Sequence, residues 1–153
     1  MNESFNKREK WDRRFLSLAR EIASWSKDPS TKVGAVIVDW DKRIVSTGYN
    51  GFPVKVVDTE ERLKNRELKY AFTVHAEMNA ILFAGRSVAG CTLYTYPFMP
   101  CDRCAAAIVQ AKLVDVVSVE GLDKERAERW SEAFQRSRLI FREAGVPVRF
   151  VEM

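Results

Sequence analysis

Apolar residues recur at Trp11, Phe15, Leu18, Ile22 and Trp25, three or four positions apart, with Arg13, Arg14 and Arg20 between them. That spacing returns side chains to one helix face, so an amphipathic helix is predicted over about 8–26, ended by Asp-Pro-Ser at 28–30. VGAVIVD (33–39) and RIVSTG (43–48) read as β-strands joined by a Trp-Asp-Lys turn, which makes a hairpin. From Tyr49 to Asp58, glycine, proline and polar residues predict a loop, and EERLKNRELK (60–69) a short charged helix. Helical character resumes at His75 and runs through Met78, Ile81 and Leu82 to a cap at Gly85. Then follow a strand at 91–96, a Pro-Phe-Met-Pro turn, an alanine-rich helix at 101–112 and a strand at 114–120. A long helix over 123–144 closes at Gly145, and a short strand at 146–151 is the last element. Trp130, Phe134 and Phe141, at spacings of four and seven, read as a core or subunit-contact stripe of that helix.

Past the hairpin, strands and helices alternate. This implies βαβ units and a three-layer α/β domain of about five strands, with helices on both faces of the sheet. No linker, repeat or low-complexity segment divides residues 1–153, so one domain is expected. With 46% hydrophobic and 30% charged residues, the chain has the material for a core and is not a disordered segment. The 25 basic and 21 acidic side chains leave a net charge of +4, which by itself could suggest a nucleic-acid partner. The two signs interleave, however: residues 123–143 hold six basic and five acidic side chains, the composition of a solvated helix face more than of a phosphate track. No apolar run approaches the length of a membrane span, and charges occupy the start of the chain where a secretion signal would be apolar, so a cytoplasmic protein is expected.

Three cysteines, Cys91, Cys101 and Cys104, are too few for a disulfide framework, and His75 is the only histidine. A lone CxxC is open to several readings, a redox pair and a structural zinc site among them. Here it follows Pro100 at a helix start, and His75-Ala76-Glu77 opens another helix. Residues three apart share a helix face, so both sulfurs can meet one ion. Two thiolates and an imidazole provide three ligands of a tetrahedral zinc, and no further histidine or cysteine lies near enough to close the site. An open position is the mark of a catalytic zinc, where water can be activated. Two helix N-termini favour the thiolate forms. Glu77 would take the proton of that water and hand it to the substrate. H-x-E with P-C-x-x-C is the signature of the zinc deaminases. Cys91, at the head of a strand without a partner at ligand spacing, reads as a buried small apolar residue.

DPSTKVGAVIVD (28–39), STGYNGFP (46–53), HAEMNAI (75–81) and PCDRC (100–104), in this order over nearly the whole chain, resemble the deoxycytidylate (dCMP) deaminases of the cytidine deaminase superfamily. The resemblance implies an α/β/α sandwich around a five-stranded mixed sheet, and hydrolysis of dCMP to dUMP and ammonia in the supply of dTTP. It implies zinc ligands His75, Cys101 and Cys104, Glu77 as proton shuttle, and one Zn2+ per subunit, since no cysteine or histidine is left for a second ion. It matches Asn50 to a nucleotide contact, against the plain reading of a turn asparagine. Ser30, Thr31 and Lys32 match its 5′-phosphate region, against the alternative that they only end the turn after the first helix. Arg62, Lys64, Arg66 and Lys69 read as a solvated helix, with a phosphate-contacting lid as the alternative. The family implies a homo-oligomer, a hexamer or a dimer, and regulation by dCTP and dTTP. TYPFMPC carries one residue more before its cysteine than some members do, which bears on the shape of the base-binding loop. Competing functions are deamination of a free nucleoside, of tRNA adenosine or of single-stranded nucleic acid, and a non-catalytic zinc module.

Overall fold

The structure is a computed structural model that describes residues 3–121 and 128–153. Its elements in chain order are α1 (Glu3–Ala23), β1 (Gly34–Val38), β2 (Ile44–Tyr49), α2 (Glu60–Lys64), α3 (Arg66–Phe72), α4 (Ala76–Leu82), β3 (Thr92–Tyr96), α5 (Asp102–Gln110), β4 (Asp115–Val119), α6 (Ser131–Ala144) and β5 (Val148–Val151). The strands form one five-stranded sheet in the order β2-β1-β3-β4-β5. β1 runs antiparallel to β2 and β3, while β3, β4 and β5 run parallel, so the sheet is mixed.

All of β1 is buried, and its side chains alternate between the two faces, as a pleated strand requires. Ala35 and Ile37 enter a core built with Ala76, Ala80, Cys104, Ile108 and Phe141, from α4, α5 and α6. Val36 and Val38 enter a second core, where α1 lays Phe15, Leu16 and Ala19 on the opposite face. Helices therefore cover both faces of the sheet, as the alternation of elements predicts. Cys91 is buried in the first of these cores, as expected of a small apolar side chain.

Several predicted boundaries move. The first helix ends at Ala23, so Trp25 leaves the apolar stripe and lies 55% exposed against Tyr49. Leu16 and Ala19 take its place inside, because β1 approaches α1 closely: a Cβ on Gly34 would stand 2.0 Å from the Ala19 carbonyl oxygen. The charged segment 60–69 is two helices. Asn65 breaks it, ending α2 and capping α3 by accepting from the Leu68 N–H. Part of the helix predicted over 123–144 falls on 122–127, outside the described residues. Among the described residues no helix is long and apolar enough to cross a membrane.

Candidate active site

The site begins at two helix starts. His75 is the N-cap residue of α4 and Cys101 that of α5, and neither side chain makes a capping hydrogen bond. Caps are usually Ser, Thr, Asp or Asn, whose oxygens satisfy the first free N–H groups. Here the imidazole and the sulfur are left free to meet each other. His75 Nδ1 lies 3.5 Å from Cys101 Sγ and 3.4 Å from Cys104 Sγ.

All three donor atoms lie within 4.8 Å of one another, and no other such group of histidine, cysteine and carboxylate occurs among the described residues. A tetrahedral ion at ordinary zinc–nitrogen and zinc–sulfur lengths would hold nitrogen and sulfur about 3.6 Å apart. The donor set and its spacing therefore fit zinc, and His75, Cys101 and Cys104 could hold it. Glu77, in the first turn of α4, is 4% exposed, and the Cys104 thiol is 3.7 Å from its Oε2.

The protonation balance follows from these contacts. The Cys101 thiol is held well below its ordinary range, by donation from Cys104 and then from His75, against the effect of burial. Cys104 is pushed up because it donates to Cys101, is buried, and faces Glu77. His75 is raised, first by its bond with Cys101 and further by Glu77, with burial opposing. Burial pushes the Glu77 carboxyl up, and the charge of His75 pulls it back.

The second helix start is braced from behind. The Ser137 hydroxyl on α6 donates to the Pro100 carbonyl at 2.7 Å, and Arg136 pairs with Asp102 at 2.6 Å. α4 is set against the sheet by Gly48, where a Cβ would stand 2.3 Å from the Ala76 carbonyl oxygen and 2.5 Å from the Ala80 nitrogen. Glycine at that point lets α4 rest directly on β2.

His75, Glu77 and Cys101 open on a cavity of about 370 Å³. Asn50 lines it, 6% exposed, with its side chain already engaged: Nδ2 donates to the Thr31 carbonyl and Oδ1 accepts from the Val33 N–H, both at 2.8 Å. One amide hydrogen remains for a ligand. Ser30 and Thr31 also line the cavity, with their backbone N–H groups bound to Asp28 Oδ1 and only their hydroxyls on offer. Lys32 is exposed and outside the cavity wall.

Other walls are not apparent from spacing. Phe141 enters the core, as one of the two readings of that stripe has it, whereas Trp130 and Phe134 line the cavity. Trp130 meets Tyr70 edge-on, with ring centroids 6.3 Å apart, and Phe134 lies 6.1 Å from Phe98. Lys69 is no solvated residue: it is 7% exposed, and its Nζ lies 3.0 Å from Asp28 Oδ1. Asp28 reads in the sequence as part of a helix stop. The signal for its role is an Asp two and three residues ahead of Ser30 and Thr31, whose N–H groups such a side chain can gather in an Asx turn.

Residues 9–120 match the family described as the cytidine and deoxycytidylate deaminase zinc-binding region. The chain is 45% identical over 144 residues to an uncharacterized deaminase of Aliivibrio fischeri, covering 94% of this chain and 95% of that one. It is 37% identical over 145 residues to the deoxycytidylate deaminase of Homo sapiens, covering 91% and 78%. Among solved structures, dCMP deaminase from the cyanophage S-TIM5 in complex with dCMP and dUMP superposes with a TM-score of 0.69 at 23% identity, over 98% of this chain and 99% of that one, a likeness of fold.

Proposed function

The chain belongs to the cytidine and deoxycytidylate deaminase zinc-binding family, and from that premise we propose that it hydrolyses dCMP to dUMP and ammonia, with His75, Cys101 and Cys104 as zinc ligands and Glu77 as the proton carrier. The observation that carries this is the meeting of one imidazole, two sulfurs and a buried carboxyl group, with His75, Glu77 and Cys101 at the wall of a single cavity and Cys104 buried behind them.

When bound, zinc supplies the Lewis acidity that activates water for attack. The other steps belong to the chain's own groups. Glu77 accepts the proton that water gives up and places it on N3 of the pyrimidine, which makes C4 electrophilic. Oxygen adds at C4 as a hydroxyl, and the same carboxylate takes the second proton from that hydroxyl and hands it to the amine as the C–N bond breaks, which leaves the C4 carbonyl and ammonia. Asn50, Ser30 and Thr31 lie where a hydroxyl or amide can hold the sugar and phosphate of the substrate. Phe98, Trp130 and Phe134 supply apolar walls, which exclude water and suit a flat ring.

A polynucleotide substrate is disfavoured because it would need an electropositive groove, whereas basic and acidic side chains interleave along this chain. Exposed Tyr49, Leu82 and Phe83 support a homo-oligomer. The test is a panel of dCMP, CMP, deoxycytidine, dCTP and cytosine or adenosine oligonucleotides, followed by ammonia release with and without dCTP and dTTP. Fastest turnover of dCMP is expected. Preference for a nucleoside or an oligonucleotide would overturn the substrate assignment, and no turnover of any of them would overturn the enzyme.

A further inference from the structure

Along one wall of the cavity the polar groups form a closed circuit of hydrogen bonds. Asp28 Oδ1 accepts from the backbone N–H groups of Ser30 and Thr31, at 2.8 and 3.0 Å, and from Lys69 Nζ at 3.0 Å. Thr31 is engaged on its other side as well, since its carbonyl accepts from Asn50 Nδ2, while the Val33 N–H donates to Asn50 Oδ1. A second route from Asp28 to Asn50 runs through the buried Ser26, whose hydroxyl accepts from the Asp28 N–H and donates to the Asn50 carbonyl. Gly51, next in the chain, exchanges backbone hydrogen bonds with Val74, directly before His75. Thr73 returns the circuit to α3, where its N–H and its hydroxyl both donate to the Lys69 carbonyl.

Every bond of this circuit but one involves a backbone group. The exception is the contact of Lys69 with Asp28, side chain to side chain, and it ties α3 to the loop after α1. Both partners are buried. Taking two charges out of water offsets most of what their attraction gains, and an apolar pair of similar volume often serves stability as well or better. What the pair holds therefore explains its place better than the energy it adds.

What it holds is the Asn50 side chain. A planar amide fixed at its oxygen by Val33 and at one nitrogen-bound hydrogen by Thr31 has no rotation left, so the direction of its remaining hydrogen is set as well. Thr31 keeps its place only while Asp28 gathers the loop, and Asp28 is anchored from across the cavity wall by Lys69.

We propose that the buried Asp28–Lys69 pair is a positioning device that acts through Thr31 and Ser26 to hold Asn50 in the orientation that receives the substrate. It rests on the reading of Asn50 as a substrate contact, and neither charged residue has to touch the substrate to play this part.

The test removes both charges together in the zinc-loaded enzyme. In Asp28→Asn combined with Lys69→Met, the amide oxygen at position 28 can still accept from Ser30 and Thr31, so the double variant should unfold near the wild-type midpoint. Even so, KM for dCMP should rise about 10-fold while kcat changes less than about threefold, because the contact disturbed is made equally in the ground and transition states. Zinc content should not change. In amide hydrogen exchange followed by NMR, the Val33 N–H reports directly on Asn50 Oδ1 and should exchange about 10-fold faster or more, whereas Val36 and Ile37 inside β1 keep their protection. Lys27→Met removes an exposed ion pair with Asp58 from the neighbouring position and should alter neither KM nor exchange at Val33. Lys69→Met alone is a second variant, in which Asp28 keeps its two backbone donors, and both readings are taken well below its midpoint. Wild-type KM in these variants would mean that the pair only stabilises the fold. A raised KM with Val33 still protected would mean that the ammonium meets the substrate itself, and either result overturns the positioning. If the wild type does not turn over dCMP, the substrate reading fails on its own, and exchange at Val33 still decides whether the pair holds Asn50.

Discussion

Glu77 is held where it can serve only the site: almost wholly buried, in the first turn of α4, with its Oε2 facing Cys104 and its backbone fixed two residues past His75. Glu77→Gln preserves volume and removes the capacity to carry a proton, so the variant should keep one zinc per chain while dCMP turnover falls by about 10³-fold or more. Metal content by atomic absorption and ammonia release measure the two effects separately. Cys104→Ser should do the reverse, lowering metal content first, and a chelator should inactivate the wild type. A Glu77→Gln enzyme retaining most of its activity would remove this residue from the proton path. These four residues were legible in the sequence because each pair sits within one helical turn, where spacing alone determines proximity. Asp28, Lys69, Trp130 and Phe134 were not, since their meeting depends on how α3 and α6 fold back over the loop after α1.

At the scale of elements, two helix starts must be brought together, and close approaches of backbone do this. α4 is seated on β2 at Gly48, and α5 is tied to α6 through Ser137 and Pro100. Gly48→Ala would press a methyl group against the backbone of Ala76 and Ala80, which cannot yield as a flexible side chain does. An overpacked contact of this kind costs about 1–3 kcal/mol. Because α4 carries His75 at its cap and Glu77 in its first turn, loss of stability should come with loss of activity. Thermal unfolding and dCMP turnover are expected to fall together, whereas an unfolding change with wild-type kcat would mean that the helix shifts without carrying the site with it. Strand and helix order was readable because the apolar period switches between two and 3.6 along the chain. Helix ends and inward faces were less so. Nothing local marks Ala19 as the point of closest approach to β1, and Asn65 acts as a break only because its side chain caps the next turn.

Over the whole molecule, stability and chemistry are placed at different ends of the sheet. Cys101, Cys104 and the cavity follow the C-terminal end of β3, whereas Asp12 of α1, Tyr94 of β3, Asp115 of β4 and the part-buried Arg149 of β5 form a polar network away from the site and outside its walls. Arg149 bridges both carboxylates, and the Tyr94 hydroxyl donates to Asp12 at 2.8 Å, so α1 is fastened to three strands at once. Arg149→Met would leave Asp12 buried without its cation, a loss of about 3–5 kcal/mol, and the unfolding midpoint should drop by on the order of 10 °C. dCMP turnover below the transition should stay at the wild-type level. Tyr94→Phe tests the same network by pH. Burial, and then the bond to Asp12, raise the Tyr94 pKa above its ordinary value. The hydroxyl's contribution is therefore present below about pH 10 and fades as the pH climbs through the raised folded value. The gap in unfolding midpoint between wild type and Tyr94→Phe should be full at pH 7 and shrink above pH ~10, when both are followed by circular dichroism across that range. A gap that stays constant, or widens with alkali, would mean that the phenol does not hold its proton for Asp12, and that α1 is fastened by apolar packing on Phe15 and Leu16 instead.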